Sequence, residues 1–389
     1  MERVPALIER AAAPASETVL LTGATGTVGR ELLARLLRTP STRVLCLVRA
    51  RDDDEARARI RRTIAELPDP RIGNDERRQT DAMAADLTRD RLGLSQRQWD
   101  TTADAVTRIV HGAASVTWNL PLGESRAINV TGTDRVLELA REGRRRGVLR
   151  KFDYISTCTV AGRRTGLIGE DDLRSRCGFH NTYEQSKFEA ERRVRNHMNE
   201  MSVSIFRLAM VVGDSKTGCT STFNVMYWPL KMMARGYIVA VPGDRAGVLD
   251  IVPIDFVGSA IEALSADPAH RGKGFHIAAG PLASSVGEIL DLAVDCLGVR
   301  PPLLIRPRVF RLLQPLFYAA VWGKRREAMS KGRVYLPYLV YSAHFDTQNA
   351  RRGLEPAGIH PPAVREYFER LIDYAIASDW GRRRVATVV

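Results

Sequence analysis

The sequence predicts an α/β fold in which a doubly wound parallel sheet is followed by a smaller, mostly helical C-terminal subdomain. Two observations carry this prediction. Short apolar runs of strand type, such as Val44–Val48 and Phe152–Ile155, alternate with helical stretches from residue 18 to residue 212. The alternation then breaks, because residues 213–250 are rich in aromatic residues and methionine. Regular alternation is typical of parallel sheets that are covered by helices on both faces.

The first strand of this pattern leads into a glycine-rich turn. Val19–Leu21 is apolar, three glycines follow at steps of three residues, and leucines then recur at helical spacing. Such glycines permit a tight turn, close approach of the backbone to a pyrophosphate, and close packing of helix on strand. The N-terminus of the helix offers free N–H groups and a positive dipole end to phosphates. The turn therefore predicts a dinucleotide site of Rossmann type, made by Gly23, Ala24, Thr25, Gly26, Thr27, Val28 and Gly29.

The end of the second strand indicates which dinucleotide binds. Arg49 stands there, twenty residues after Gly29, where an acidic residue would hold the ribose hydroxyls of NAD. An arginine instead accommodates the 2′-phosphate of NADP, so we predict NADPH as the cofactor. The acidic run 52–54 leaves open a carboxylate that folds back. Ligands bind beyond the carboxyl ends of strands in such sheets, which adds four predicted cofactor contacts: Asp86, Leu87, Gly112 and Ala113.

A tyrosine and a lysine four residues apart suggest the chemistry. Tyr183 and Lys187 share one face of a predicted helix, and a neighbouring ammonium is expected to lower the pKa of the tyrosine. A tyrosine so tuned acts as a general acid or base. A hydroxyl of Thr157 or Ser156, at the end of the preceding strand, would hold the substrate oxygen. We also expect Tyr183 and Lys187 to contact the cofactor, with Lys187 on the nicotinamide ribose.

Composition narrows the class of protein. The net charge of +13 favours acidic partners such as phosphate-rich cofactors, although arginine excess also arises from genome composition. No nucleic-acid-binding motif accompanies that charge, and no apolar run reaches the length of a membrane helix. Five cysteines without a C-x-x-C motif indicate a reducing cytoplasm, and the histidines lack a metal-binding spacing, so we predict no metal.

Taken together, these motifs resemble the extended short-chain dehydrogenases/reductases over roughly residues 18–280. The matching segments are T-G-A-T-G-T-V-G at 22–29, D-L at 86–87, H-G-A-A at 111–114, N-V-T-G-T at 129–133, I-S-T-C-T-V-A-G at 155–162 and Y-E-Q-S-K at 183–187. The resemblance implies that Thr157 is the catalytic hydroxyl, with Ser156 as the adjacent alternative. It also implies that Asn129 lies behind the active site.

Within that family the chain is most similar to the thioester reductases, which include the terminal domains of carboxylic acid reductases and fatty acyl reductases. The segments are C-L-V-R-A at 46–50, L-G-L-S-Q-R-Q-W at 92–99, Y-E-Q-S-K-F-E-A-E at 183–191, V-V-G-D-S-K-T-G at 211–218 and L-D-I-V-P-I-D-F-V at 249–257. This similarity implies reduction of a long-chain or lipophilic acyl thioester by NADPH, giving an aldehyde or alcohol. The sequence contains no adenylation or carrier domain, so we expect coenzyme A or an acidic carrier protein to deliver the acyl group. Two departures are Arg207-Leu-Ala in place of Arg-Pro, and Thr27 in place of an aromatic residue.

Three other functions stay open. One is a dehydrogenase of ketones or alcohols that acts on a hydrophobic secondary metabolite or a sterol-like molecule. A second is a nucleotide-sugar epimerase or dehydratase, which Arg49 disfavours because that class usually recycles bound NAD. The third is a non-catalytic NADP-sensing protein, which the presence of Thr157, Tyr183 and Lys187 disfavours.

We expect five regions along the chain. They are a flexible N-terminal extension at 1–17, an NADP-binding domain at 18–212, a substrate-binding insertion at 213–250, a return to the sheet at 251–284 and a helical substrate or lid region at 285–389. The apolar patch of the insertion is either a small core or an adaptable pocket. The basic, amphipathic stretch 306–326 is either a buried lid helix, which we favour, or a peripheral membrane contact. The patch consists of Phe223, Met226, Tyr227, Trp228, Leu230, Met232, Met233, Tyr237 and Ile238.

Overall fold

The computed structural model describes residues 17–39, 41–67, 72, 79–223, 226–306, 309–310, 332 and 335–383. Most of the predicted N-terminal extension and residues 311–326 of the basic stretch lie outside these ranges. Within them, no helix combines the length and apolar character that crossing a bilayer requires. The strands are β1 (Glu17–Thr22), β2 (Thr42–Val48), β3 (Thr80–Ala84), β4 (Arg108–His111), β5 (Lys151–Thr157), β6 (Gly166–Ile168), β7 (Val203–Leu208), β8 (Met210–Val212), β9 (Ala240–Pro242), β10 (Val248–Leu249), β11 (Ile251–Pro253), β12 (Lys273–Ile277), β13 (Ser284–Ser285), β14 (Leu303–Ile305) and β15 (Ala343–Phe345).

A seven-stranded sheet forms the centre of the molecule, in the order β12-β7-β5-β4-β1-β2-β3. All its neighbouring strands run parallel, and Leu20 in β1 lies beside Leu45 of β2 and Ile109 of β4. The inner strands are apolar and buried along most of their length, as expected when both faces of a sheet are covered. The predicted doubly wound α/β fold is therefore confirmed.

Helices pack on both faces of this sheet. They are α1 (Thr27–Arg38), α2 (Asp53–Ala65), α3 (Gln96–Ala105), α4 (122–145, with a π-helical turn at Ala127–Thr131), α5 (Thr182–Arg195), α6 (Tyr227–Ala234), α7 (Ile254–Ala266), α8 (Val286–Leu297), α9 (Gln348–Leu354) and α10 (Phe368–Ala377). One face buries leucines and isoleucines of α1, α2 and α7 against the sheet. The opposite face buries α3, α4 and α5. The sheet therefore holds the N-terminus of α1 and that of α5 at its carboxyl edge.

A second core lies beyond the carboxyl edge of the sheet. Helices α6, α8 and α10 pack together there, and Tyr227, Met233, Leu290 and Phe368 are buried between them. Two short strand pairs, β8 with β11 and β9 with β14, adjoin this core. The chain then returns, since β15 pairs with β6 and α9 packs against α7. This return brings the segment that precedes β15 close to the N-terminus of α5.

Candidate active site

The glycine turn is compact and leaves the start of α1 open. Gly23 has a φ of +80°, and a Cβ there would lie 2.8 Å from the backbone nitrogen of Ala113. A Cβ on Gly29 would lie 2.0 Å from the carbonyl oxygen of Gly23, so helix and turn pack without room for a side chain. No side chain caps α1 at Gly26, so its first N–H groups are available to an anion. The turn therefore has the geometry that a pyrophosphate requires.

Thr27 and Val28 open α1 as the last residues of this loop. The Thr27 hydroxyl lies 3.0 Å from that of Ser221 and 2.9 Å from that of Thr222. An aromatic side chain at this position could make neither contact. The glycine turn is thus joined to the segment that follows Gly213, which sequence reasoning did not predict.

Arg49 directly follows β2 and its side chain is exposed. The acidic run that follows is committed to other contacts. Asp52 caps α2 by accepting a hydrogen bond from the Glu55 N–H at 2.8 Å. Asp53 accepts one from the Ala84 N–H at 2.8 Å, which ties α2 to β3. These carboxylates therefore do not fold back over the end of β2, which stays basic.

Asp86 and Leu87 lie just beyond β3, on the rim of the same edge. Asp86 accepts hydrogen bonds from the Thr88 N–H and hydroxyl, at 2.8 and 2.7 Å. Burial opposes ionisation, but these bonds hold the pKa of Asp86 below its usual value. Leu87 packs on Gly132, where a Cβ would lie 2.8 Å from the Leu87 Cβ.

Gly112 and Ala113 follow β4 and adjoin the glycine turn. Both backbone N–H groups donate to the Thr22 hydroxyl, at 3.2 and 3.1 Å. That hydroxyl also lies 2.7 Å from Nδ1 of His111, whose pKa burial lowers to about 3. The ends of β1 and β4 are therefore locked together beneath the predicted cofactor.

The structure brings Thr157, Tyr183 and Lys187 together at one end of α5. The Thr157 hydroxyl hydrogen-bonds the Tyr183 phenol. Lys187 is buried, and its Nζ donates to the Tyr154 hydroxyl and the Ile155 carbonyl, 2.8 Å each. These contacts fix the lysine against β5 and leave the Tyr183 ring, half-buried, facing a cavity.

The pKa of Tyr183 differs from the expectation. Burial raises it to about 12, and the hydrogen bond from Thr157 only partly opposes that rise. The expectation that Lys187 lowers the pKa of Tyr183 is wrong. Burial lowers the pKa of Lys187 itself to about 7, although the nearby Glu191 opposes that change. A lysine with that pKa carries only part of a charge at neutral pH. Tyr183 therefore keeps its proton at neutral pH.

Ser156 is committed to a buried ionic network. Its hydroxyl donates to Glu191 at 2.7 Å, which turns it away from the cavity side of β5. Glu191 also binds the guanidinium of Arg207 at 2.7 Å and that of Arg195 at 3.0 Å. Arg207 and Glu191 are both fully buried. Of the two hydroxyls at the end of β5, only that of Thr157 lies in the cavity wall.

Asn129 lies behind α5, in the π-helical turn of α4. Its side chain accepts from the Ser115 N–H at 2.7 Å and donates to the Ser115 carbonyl at 3.0 Å. It also donates to the Ser186 hydroxyl on α5 at 2.9 Å. Asn129 therefore joins α4, α5 and the loop after β4.

A second buried carboxylate lies next to Tyr183. Glu184 accepts hydrogen bonds from the Tyr338 hydroxyl and from the His180 N–H, the latter at 2.8 Å. Asn181 caps α5 and also donates to the Tyr338 hydroxyl at 2.9 Å. These hydrogen bonds hold the segment before β15 against the first turn of α5.

A cavity of about 720 Å³ lies where these elements meet. The residues that line it include Thr27, Trp118, Thr157, Tyr183 and Tyr338. Asp250 also lines it, and burial raises its pKa to about 6 although two backbone N–H groups bind it. The cavity thus places a protonated tyrosine beside the dinucleotide-binding turn, with room for a substrate.

Sequence reasoning missed Trp118, Glu184, Glu191 and Tyr338. Glu184 and Glu191 share the Lys187 face of α5, and a row of charges on the buried face of a helix was the available signal. The sequence held no signal for Tyr338, because its partner Glu184 is 154 residues away in the chain.

Comparisons with known proteins agree with this geometry. Residues 21–261 match the family model described as Male sterility protein. The L-2-aminoadipate reductase large subunit of Penicillium chrysogenum is 31% identical over 272 residues, which are 66% of this chain and 19% of that protein. The carboxylic acid reductase of Mycobacterium marinum is 30% identical over 309 residues, 72% of this chain and 26% of that protein.

Solved structures extend the similarity to nearly the whole chain. The terminal R domain from the myxalamid PKS-NRPS biosynthetic pathway is 26% identical, with a TM-score of 0.79, and the match covers 95% of this chain and 92% of that one. The chain spans only 5%, 19% and 36% of three curated relatives that it matches. The family match covers well over half of the chain. The chain therefore belongs to the Male sterility protein family, the thioester-reductase branch of the extended short-chain dehydrogenases/reductases.

Proposed function

We propose that the protein is an NADPH-dependent reductase that converts a lipophilic acyl thioester into an aldehyde. The observation that carries this proposal is the pair of Thr157 and Tyr183 in the wall of a large cavity beside the glycine turn, with Lys187 buried behind them against β5. The relatives named above as reductases, and the reductase domain of matching fold, support it. On this proposal, residues 18–212 and 251–284 bind the cofactor, and residues 213–250 and 285–389 bind the substrate.

The residues fit a dinucleotide phosphate. The uncapped N-terminus of α1 and the side-chain-free turn at Gly23 and Gly29 suit the pyrophosphate, and the exposed Arg49 suits a 2′-phosphate. The carboxylates that would favour NAD are engaged in capping α2 and tying it to β3. This arrangement supports NADPH over NADH.

A binding experiment tests the cofactor. Arg49→Ala is expected to weaken NADPH binding about tenfold or more and to leave NADH binding unchanged, because a charged contact with the phosphate is lost. Arg365→Ala is the charge-matched control, since Arg365 pairs with Glu288 at 2.7 Å on the surface near α8. Equal loss for both dinucleotides, or tighter binding of NADH by the wild type, would contradict the assignment.

Thr157, Tyr183 and Lys187 have different roles in the proposed reaction. When bound, the nicotinamide supplies the hydride that attacks the thioester carbonyl carbon. Tyr183 holds a proton at neutral pH, because its pKa is about 12, and donates it to the carbonyl oxygen. Thr157 orients that oxygen through its hydroxyl, and Lys187 binds the nicotinamide ribose. The resulting hemithioacetal releases the thiol and leaves an aldehyde.

Product analysis tests the reaction. NADPH oxidation is measured with acyl thioesters, aldehydes and ketones, and free thiol is titrated alongside. Thioester reduction should release one thiol per aldehyde formed, and Tyr183→Phe should lower kcat by about 10²- to 10⁴-fold. Tyr374→Phe is the control, because Tyr374 lies on α10 with its ring parallel to that of Phe223. Oxidation of NADPH without thiol release would favour the ketone reductase instead.

Two further points belong to the same proposal. The acyl group arrives on a carrier protein or coenzyme A, which the net charge of +13 suits because both are acidic. We place the protein in the cytoplasm, which is supported by the finding that none of its five cysteines forms a disulfide bond.

A further inference from the structure

A second, smaller pocket branches from the cavity. The two are bounded by the same side chains at their junction, which are Trp118, Met210, Leu249, Tyr335 and Tyr338. Because these residues face both spaces, a group that enters the large cavity can continue into the small one.

The small pocket is apolar. Side chains of α6 and α8 form part of its wall, and no charged residue is among the described residues that line it. Three methionines contribute, and their flexible side chains suit a ligand of variable shape. The residues that define it are Met226, Leu230, Met233, Ile289, Leu290 and Leu304.

Its size limits what it holds. The volume is about 110 Å³, somewhat below the apolar cavity of about 150 Å³ that binds benzene in an engineered protein. A group of about four to six carbon atoms therefore fills it. A straight chain of twice that length would extend beyond the pocket.

Three aromatic side chains, which we call the aromatic collar, lie where the pocket meets the cavity: Trp118, Tyr335 and Tyr338. The Trp118 ring lies 4.9 Å from that of Tyr338 and 5.4 Å from that of Tyr335. Tyr338 is fixed through its hydroxyl to Glu184, the residue after Tyr183. The collar is therefore held at a set position relative to the proton donor.

We infer that this pocket binds the apolar end of the acyl group and selects thioesters with a compact aliphatic or aromatic group of about six carbons. The inference rests on the proposed function and narrows its substrate class from lipophilic acyl groups in general to those with a compact apolar end. Met233 and Leu290 both line the pocket.

Chain-length selectivity tests the inference. The probes are the acetyl, hexanoyl and dodecanoyl thioesters of N-acetylcysteamine. The wild type should reduce the hexanoyl thioester with a kcat/KM at least about tenfold above that of the acetyl one, because apolar surface is buried in the pocket. Lengthening the chain from hexanoyl to dodecanoyl should raise kcat/KM less than lengthening it from acetyl to hexanoyl does, because the added carbons lie outside the pocket. Equal kcat/KM for the three thioesters would overturn the inference.

A pair of neighbouring methionines supplies the variants. Met233→Trp fills the pocket and should lower the ratio of the hexanoyl to the acetyl kcat/KM about tenfold. Met232→Trp is the control, since Met232 is equally buried on α6 but does not line the pocket. Leu290→Ala enlarges the pocket and should shift the optimal chain length towards longer acyl groups. This variant tests the inference if Met233→Trp does not fold.

A binding measurement separates this inference from the proposed function. Calorimetry with the hexanoyl thioester in the absence of NADPH requires no turnover. If the wild type reduces no thioester, the proposed function fails, yet weaker binding by Met233→Trp than by Met232→Trp would still support the pocket. Identical binding of the hexanoyl thioester by the two variants and the wild type would refute the inference that the pocket binds the acyl group.

Discussion

Removing Arg207 tests how the end of β5 is held in place. Arg207 is fully buried, and its guanidinium binds Glu191 at 2.7 Å and donates to the Asp172 carbonyl at 2.8 Å. Arg207→Met leaves the Glu191 carboxylate buried with Ser156 and Arg195 as its partners. Breaking a buried ion pair costs about 3–5 kcal/mol. We expect the lower end of that range, because Arg195 still contacts Glu191 at 3.0 Å.

The assay is urea unfolding at pH 7, with Arg126→Met as the matched control. Arg126 makes an equally bidentate contact with Glu189 on the same helix, at 2.7 and 2.8 Å, but its side chain is 47% exposed. An exposed pair is worth about 0–1 kcal/mol, so this variant should unfold almost as the wild type does.

Two further measurements identify the cause of the loss. The double variant with Glu191→Gln should be more stable than Arg207→Met alone, because no unpaired charge is then buried. Burial opposes ionisation of Glu191, and the charge of Arg207 holds its pKa below the usual value in the wild type. Without that charge burial raises the pKa of Glu191 in Arg207→Met, so the loss should shrink as the pH falls and the carboxyl of the variant takes up a proton. The reasoning is refuted if Arg207→Met costs no more than Arg126→Met, or if the two changes in the double variant simply add.

Three other predictions follow from contacts at the site. Gly29→Ala should abolish NADPH binding, measured by fluorescence titration, because its Cβ would lie 2.0 Å from the Gly23 carbonyl oxygen. Lys187 releases its proton near pH 7 when folded and near its ordinary pKa of 10.5 when unfolded, so the unfolded state holds the extra proton between these values. The free energy of unfolding of the wild type should therefore rise with pH above 7, relative to Lys187→Met, by up to about 1.4 kcal/mol per pH unit. Tyr338→Phe should lower stability by about 1–3 kcal/mol in thermal unfolding, because Glu184 loses a buried donor, and an unchanged Tm would contradict this role.

The sequence was sufficient for features that depend on neighbouring residues. The apolar run before Gly23 and the leucines after Gly29 predict a strand, a turn and a helix, and β1 and α1 lie there. The four-residue spacing places Tyr183 and Lys187 on one helix, α5. Alternation of such units allows few topologies, which is why the parallel sheet was predictable.

Tertiary structure decided the chemistry of those same residues. The pKa of Tyr183 is raised rather than lowered, because burial depends on what packs around α5. Lys187 donates its hydrogen bonds to Tyr154 and Ile155 of β5. Glu184 gains its partner Tyr338 from 154 residues away. Spacing along the chain cannot specify such contacts, since they form only when the C-terminal segment returns to the sheet. The sequence thus determined which residues lie in the glycine turn and on α5, and packing determined their protonation and the space left for a substrate.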